Sequence, residues 1–283
     1  MKLCRWGKNG YEKPGVIDSQ GMLRDLSGVL AQIDQEAISP KGLAKLKRIR
    51  PESLPLIKTE PRMGVPYIGI SKFVAIGLNY SDHAAEAGMP VPSEPIVFLK
   101  ATTCISGPFD DIIQPRNSTK LDWEVELGVV IGTTARYVGV EKALEHVAGY
   151  TIVNDVSERS FQLATSQWDK GKGFDTFGPI GPWLVTTDEI KDPQNLELWL
   201  DVNSDRMQTG NTKTMIFSVA QLVSHVSHYM TLLPGDIITT GTPPGVGMGL
   251  KPQRFLQPGD VVTLGIQGLG EQRQKVVEYP VKQ

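Results

Sequence analysis

The chain has 283 residues, and 29 Lys and Arg against 31 Asp and Glu give it a formal net charge of −2 at pH 7. That balance speaks against nucleic acid as a partner, and 40% hydrophobic with 21% charged residues excludes a disordered chain. Two distant cysteines, Cys4 and Cys104, exclude a disulfide scaffold, and no apolar run is long enough to span a membrane. The N-terminal Met1-Lys2-Leu3-Cys4-Arg5-Trp6 lacks the apolar core of a secretion signal, so a reducing, cytoplasmic setting is expected.

The 29 glycines and 20 prolines predict many turns and hence many short strands. Short strands are expected on either side of the turn signals Asn9-Gly10 and Ser19-Gln20-Gly21. Apolar spacing predicts helices over Leu26 to Ala37 and Leu43 to Ile49, the second started by Ser39-Pro40. Pro51, Pro55, Pro61 and Pro66 mark a connection, and a boundary near residue 68 sets off a small N-terminal domain, 1–68, from a larger one, 69–283.

From Phe73 the pattern is mainly β. Phe73 to Gly77, Ile96 to Leu99, Tyr150 to Val153 and Ile237 to Thr240 read as buried strands, and Leu196 to Val202 as an alternating one. Leu121 to Ile131 also alternates, with Trp123, Val125 and Leu127 on one face and Glu124 and Glu126 on the other. A short helix follows Asn79 and Ser81, and a second runs from Val140 to Val147 with Gly149 closing it. A third starts at Ser218 with Gln221 completing a capping box, and Val219, Leu222, Val223, Val226 and Met230 form its core stripe.

Two groups of residues carry possible chemistry. Glu124 and Glu126, at i and i+2 on a strand, place two carboxylates about 6–7 Å apart on one face. A solvent-facing pair is the plain alternative, but Asp155 at the end of another apolar strand adds a third carboxylate. Three carboxylates without Cys or His form an all-oxygen set suited to Mg²⁺, Mn²⁺ or Ca²⁺. His83 and Glu86, at i and i+3 on a helix, can pair so that the carboxylate fixes the imidazole as a general base. Lys170 and Lys172 lie in a Gly- and aromatic-rich stretch where one ammonium could neutralise an enolate. The Gly241 to Gly249 run lacks the ending of a phosphate loop and reads as a tight loop beside a pocket. His225 and His228 read as structural, and His146 ends its helix and suits a favourable contact with the C-terminal dipole.

The ordered segments Gly77-Leu-Asn-Tyr-Ser-Asp-His83-Ala-Ala-Glu86, Trp123-Glu124-Val-Glu126-Leu-Gly128, Asn154-Asp155-Val-Ser-Glu-Arg159, Lys172-Gly-Phe174-Asp175 and Thr239-Thr-Gly-Thr-Pro-Pro-Gly245 resemble the fumarylacetoacetate hydrolase family over roughly residues 70 to 283. Met1 to Gly28 resembles its sugar-acid branch, the 2,4-diketo-3-deoxy-L-rhamnonate or L-fuconate hydrolases. The resemblance implies a mixed α/β but mainly β fold, a rolled mixed β-sheet of roll or barrel type, in a homodimer. It implies Glu124, Glu126 and Asp155 as ligands of Mg²⁺ (or Mn²⁺, with Ca²⁺ as a further choice). It also implies His83 and Glu86 as a dyad on a lid and Lys172 as a third catalytic residue. Asn79, Tyr80, Arg159, Gln162, Lys172 and Thr242 would meet the substrate. Leu78 departs from the Arg of many acylpyruvate hydrolases, and Ala101 from a common Pro. The implied reaction is hydrolysis of a C–C bond in a small anionic 2,4-dioxo acid. Oxaloacetate decarboxylation or ureidoglycolate cleavage is the alternative on the same site, and a Ca²⁺-dependent acidic-sugar module is a more distant one.

Overall fold

The computed structural model describes residues 1–86, 88 and 90–280. The N-terminal hairpins form where the turn signals lie: β1 (Lys2–Trp6) and β2 (Lys13–Ile17) flank Asn9-Gly10, and β3 (Leu23–Asp25) follows Gly21. Helix α1 (Pro40–Leu46) starts at Ser39, whose hydroxyl accepts the Gly42 N–H, with Pro40 in the first turn. The helix expected over Leu26 to Ala37 does not form. Carboxylates of Asp25 and Asp34 accept the N–H groups of Ser27 and Ala37 and hold the segment in turns, while Ile33 still reaches the core.

Next in the chain come β4 (Met63–Gly64), β5 (Phe73–Gly77), helix α2 (Ser81–Glu86), β6 (Ile96–Lys100), β7 (Ile105–Ser106) and β8 (Ile112–Gln114). The predicted Leu121–Ile131 strand is two pieces, β9 (Leu121–Asp122) and β10 (Val125–Ile131), separated at Trp123 and Glu124. After β11 (Val147–Asn154) and β12 (Ser157–Glu158) the chain forms two short helices, α3 (Arg159–Gln162) and α4 (Asp169–Lys172). Strands β13 (Gly178–Thr186), β14 (Glu197–Val202) and β15 (Asp205–Asn211) precede helix α5 (Val219–Tyr229). Strands β16 (Ile237–Thr239), β17 (Val261–Ile266) and β18 (Gly270–Glu278) close the described chain.

The main sheet runs β3-β2-β1-β13-β11-β10-β16-β5-β6, with β4 beside β1 and β7 beside β13. It is mixed, since β16 is parallel to β5 while β10 and β11 are antiparallel. This is the mainly β, mixed-sheet fold expected, but its order is an open path, so among the described residues it rolls without closing into a barrel. A second sheet, β15-β14-β17-β18-β8, packs on it. Gln272 of β18 reaches across, its amide donating to the carbonyls of Ile152 (2.9 Å) and Gly181 (3.0 Å), so the buried polar side chain is satisfied. Residues 1–68 share the main sheet through β1, where Lys2 faces Val185 of β13. Among the described residues no helix is long and apolar enough to cross a membrane.

Helix α5 carries the capping box: Ser218 Oγ accepts the Gln221 N–H at 3.3 Å, and Gln221 Oε1 accepts the Ser218 N–H at 2.8 Å. Val219, Leu222, Val223 and Val226 are buried, whereas Met230 is only half-buried at the helix end. The Val140 segment is a 3₁₀ helix, Val140–His146, and Gly149 does not close it but lies inside β11. The requirement for glycine there is cross-strand: a Cβ would stand 2.2 Å from the Val185 carbonyl oxygen of β13. Gly149→Ala is therefore expected to destabilise the protein by about 1–3 kcal/mol through overpacking against backbone. Denaturant midpoints measured at constant m-value check this; an unchanged midpoint would show that the strands part freely.

Candidate metal and catalytic site

The interruption between β9 and β10 builds the centre of the site. Side-chain amides replace ladder hydrogen bonds here: Glu124 N–H donates to Asn154 Oδ1 (3.2 Å) and Val125 N–H to Gln208 Oε1 (3.0 Å). The Asp155 N–H donates to the Glu124 carbonyl at 2.9 Å, pinning the end of β11 against the break. Glu124, Glu126 and Asp155 thereby converge, buried, with one oxygen of each within 4.8 Å of the others. The sequence left a solvent-facing Glu pair open as an alternative; both faces of β10 are in fact buried, and the Glu side chains line a cavity.

Buried cations surround this triad unevenly. Arg159 NH2 donates to Glu124 Oε1 at 2.6 Å, and Lys172 Nζ bridges Glu124 Oε2 (2.6 Å) and Asp155 Oδ2 (2.8 Å). Lys100, buried at the end of β6, binds the other Asp155 oxygen and the Lys172 carbonyl. Burial would raise the Glu124 pKa, but Arg159 and Lys172 outweigh it and bring it down to about 2. Glu126 has no such partner. Its Oε2 accepts from Thr239 Oγ1 (2.5 Å) and the Gly241 N–H (2.7 Å), while burial, then Asp155 and Glu124, push its carboxyl well above the usual range. With Asp122, which also pairs with Arg159, four buried carboxylates face three buried cations. The missing charge lies at Glu126, and an oxygen-only set with one uncompensated carboxylate is what a hard divalent cation fits.

A second cluster faces the triad. His83 Nδ1 lies 3.0 Å from Glu86 Oε2, and Glu86 accepts the Gly245 N–H at 3.0 and 3.2 Å through its two oxygens. Since Glu86 is an acceptor, Nδ1 carries the proton and Nε2 is left with its lone pair. The Gly245 loop is tied back to the centre by Asp122, which accepts the N–H groups of Gly247 (2.7 Å) and Met248 (3.1 Å) and the Nε of Arg159 (2.8 Å). The expectation of a tight loop beside a pocket holds: Val246, Met248 and Gly249 line a cavity of about 480 Å³ together with the triad, His83 and Glu86.

Of the residues named from sequence, His83, Glu86, Glu124, Glu126, Asp155, Arg159, Gln162, Lys172 and Thr242 all line this cavity. Their hydrogen bonds define what each can offer. Arg159 NH1 can only donate, so Gln162 turns its Oε1 to it (3.0 Å) and leaves its amide N–H groups for the cavity. Arg159 itself is engaged on three sides, by Asp122, Gln162 and Glu124. The Thr242 hydroxyl donates to the Val125 carbonyl and accepts from Gln208, so its proton is already committed. Asn79 and Tyr80 are buried off the cavity wall. The Asn79 amide brackets the chain instead, donating to the carbonyls of Phe217 and Thr240 and accepting the Phe217 N–H, because the turn after β5 needs those groups satisfied. Lys100 and Asp122 were not singled out from sequence; a lone Lys ending an apolar strand and an Asp before Trp123-Glu124 were the available signals. His228 meets Tyr137 edge-on, His225 packs at a tilt against Tyr229, and His146 Nδ1 sits 3.3 Å from the Thr133 carbonyl; none of the three lines the cavity.

Residues 72–277 match the family model described as fumarylacetoacetate (FAA) hydrolase C-terminal. A Burkholderia ambifaria protein provisionally named a hydrolase is 60% identical over 276 residues, covering 97% of this chain and 98% of its own. The structure of a fumarylacetoacetate hydrolase from the psychrophile Exiguobacterium antarcticum aligns with a TM-score of 0.87 at 35% identity, over 99% of this chain and 100% of that one. A maleylpyruvate hydrolase from Sphingobium sp. SYK-6, solved with manganese(II) and pyruvate, aligns with a TM-score of 0.84 at 28% identity over the same shares.

Proposed function

Because the chain belongs to the fumarylacetoacetate hydrolase family, we propose that its cavity hydrolyses the C3–C4 bond of a 2,4-dioxo acid, as a homodimer using Mg²⁺ or Mn²⁺. The observation that carries this is the pairing of an undercompensated carboxylate triad with a His–Glu dyad across one cavity. A divalent cation held by Glu124, Glu126 and Asp155 would supply positive charge and Lewis acidity to the chelating oxygens of a 2-oxo acid.

The chain's own residues perform the rest. His83 Nε2 takes a proton from water, whose hydroxide oxygen bonds to C4; Glu86 holds the tautomer and stabilises the imidazolium. The C3–C4 bond then breaks, its electron pair passing into the pyruvate enolate, and His83 returns the proton to C3. Pyruvate and a carboxylic acid are the products, so atoms balance with one water consumed. Lys172 keeps one ammonium hydrogen beyond its two carboxylate bonds, available to the enolate oxygen, and Gln162 offers amide hydrogens to the carboxylate of the substrate.

The N-terminal resemblance to the sugar-acid branch makes 2,4-diketo-3-deoxy-L-rhamnonate one substrate to test, for which pyruvate and L-lactate should appear in equal amounts. The proposal as a whole is tested by pyruvate formation from a panel of acylpyruvates and diketo sugar acids, with Mg²⁺ or Mn²⁺ and with a chelator. Turnover that chelation abolishes and metal restores is expected. Pyruvate formation indifferent to chelator would remove the triad from the mechanism.

A further inference from the structure

Beyond its acidic floor the cavity changes character, and the change begins next to Lys172. The Lys172 Nζ that touches Glu124 and Asp155 stands 5.4 Å from the centre of the Phe98 ring. Phe98 meets Trp168 edge-on, with centroids 5.4 Å apart and planes at 68°. The Trp168 ring lies against the backbone of Gly77, where a Cβ would come within 2.6 Å of Cζ3. Ile76, Leu78, Val246 and Met248 also line the cavity. The lining is thus continuous from carboxylates to ammonium to phenyl ring to indole.

We propose that this aromatic wall is an acyl subsite and that the preferred C4 substituent is flat and apolar, an aroyl group. The inference rests on the dioxo-acid hydrolase reading and adds the class of the acyl group to it. Two physical arguments favour it over a hydroxylated chain. Aromatic rings gain area and edge or stacking contacts from a planar apolar group, whereas hydroxyls turned to such a wall would lose water and find no partner. A cavity of about 480 Å³ also exceeds what a pyruvyl head with a one-carbon tail would fill, so a small acyl group would leave the wall bare. Gly77 acquires a role here: its missing side chain is the space in which Trp168 lies, which keeps the indole out of the subsite.

The experiment compares kcat/KM of the Mn²⁺-loaded protein for benzoylpyruvate, acetylpyruvate and 2,4-diketo-3-deoxy-L-rhamnonate, following pyruvate. Benzoylpyruvate is expected to exceed both others by about tenfold or more. In Gly77→Ala the new methyl group pushes the Trp168 ring into the subsite, and the benzoyl-to-acetyl ratio should fall by about tenfold. Trp168→Ala, at a half-buried position, should lower the same ratio and carries the test if Gly77→Ala does not fold. Equal or better use of acetylpyruvate or the sugar acid, or a ratio unmoved in the folded variants, would overturn the subsite while leaving the hydrolase standing. No pyruvate from any of the three would instead overturn the hydrolase reading itself.

Discussion

His83→Ala is expected to bind Mn²⁺ as tightly as the parent and to lose about 10²–10⁴-fold in kcat for dioxo-acid hydrolysis. The two halves of that expectation come from the separateness of the two clusters. His83 makes its contact with Glu86, and Glu86 with the Gly245 N–H; neither bonds to Glu124, Glu126 or Asp155. Removing the imidazole therefore leaves the carboxylates and their cations as they were. The loss falls on the protonation steps, because Nε2, the nitrogen freed by the Nδ1–Glu86 bond, is the base to which the proposed reaction assigns the proton of water. Manganese binding followed by its electron paramagnetic resonance, beside single-turnover pyruvate formation, reads the two halves independently. Unchanged turnover would remove His83 from the chemistry. The same variant separates hydrolysis from decarboxylation: loss of CO₂ from oxaloacetate needs no activated water, so its survival at the parent rate would favour decarboxylation over hydrolysis.

How much of this was legible in the sequence follows from how local each feature is. The i, i+3 spacing of His83 and Glu86 and the box at Ser218 and Gln221 are decided within one helical turn, and both form as the spacing implies. The alternation from Leu121 to Ile131 gave the direction of Glu124 and Glu126, but not their surroundings. Whether that face met water depended on what α2, α3, α4 and the Gly241 to Gly249 loop brought around it, which is a matter of topology. Lys100 shows the same limit. Its sequence neighbours are apolar, and its two partners, Asp155 and the Lys172 carbonyl, arrive from segments 55 and 72 residues away. Leu26 to Ala37 failed in the opposite sense, since apolar spacing suggested a helix while Asp25 and Asp34 bonded their own backbone and won locally. A glycine after a helical pattern usually stops a helix, but Gly149 is required by the neighbouring strand β13, whose Val185 carbonyl oxygen a Cβ would approach to 2.2 Å, and no local pattern encodes that.

Glu126→Gln is the second large expected effect, and it should act in opposite directions with and without metal. Glutamine is nearly isosteric, and its Oε1 can still accept from Thr239 Oγ1 and the Gly241 N–H, so the fold around β10 has no reason to change. What changes is the charge. In the metal-free protein Glu126 lies buried beside Asp155 and Glu124 without a cation, and its carboxyl is pushed well above the usual range, so it costs stability at any pH above its unfolded value; a neutral replacement carries no such cost. The metal-free variant is accordingly expected to melt at a higher temperature than the metal-free parent. Manganese at one hundred times its dissociation constant should stabilise the parent by about 2.7 kcal/mol, since a ligand that binds only the folded state adds RT ln(1 + [L]/Kd). The variant, with one hard anionic donor gone from three, should gain little or nothing at the same concentration, and metal-dependent hydrolysis should be lost with it. Thermal melts of both proteins with chelator and with Mn²⁺ therefore give four midpoints whose order is expected to invert on adding metal. An equal Mn²⁺ shift in the two proteins would remove Glu126 from the ligand set. A lower melting temperature for the metal-free variant would mean instead that the Thr239 and Gly241 donors stabilise the Glu126 carboxylate by more than its burial beside Asp155 and Glu124 costs.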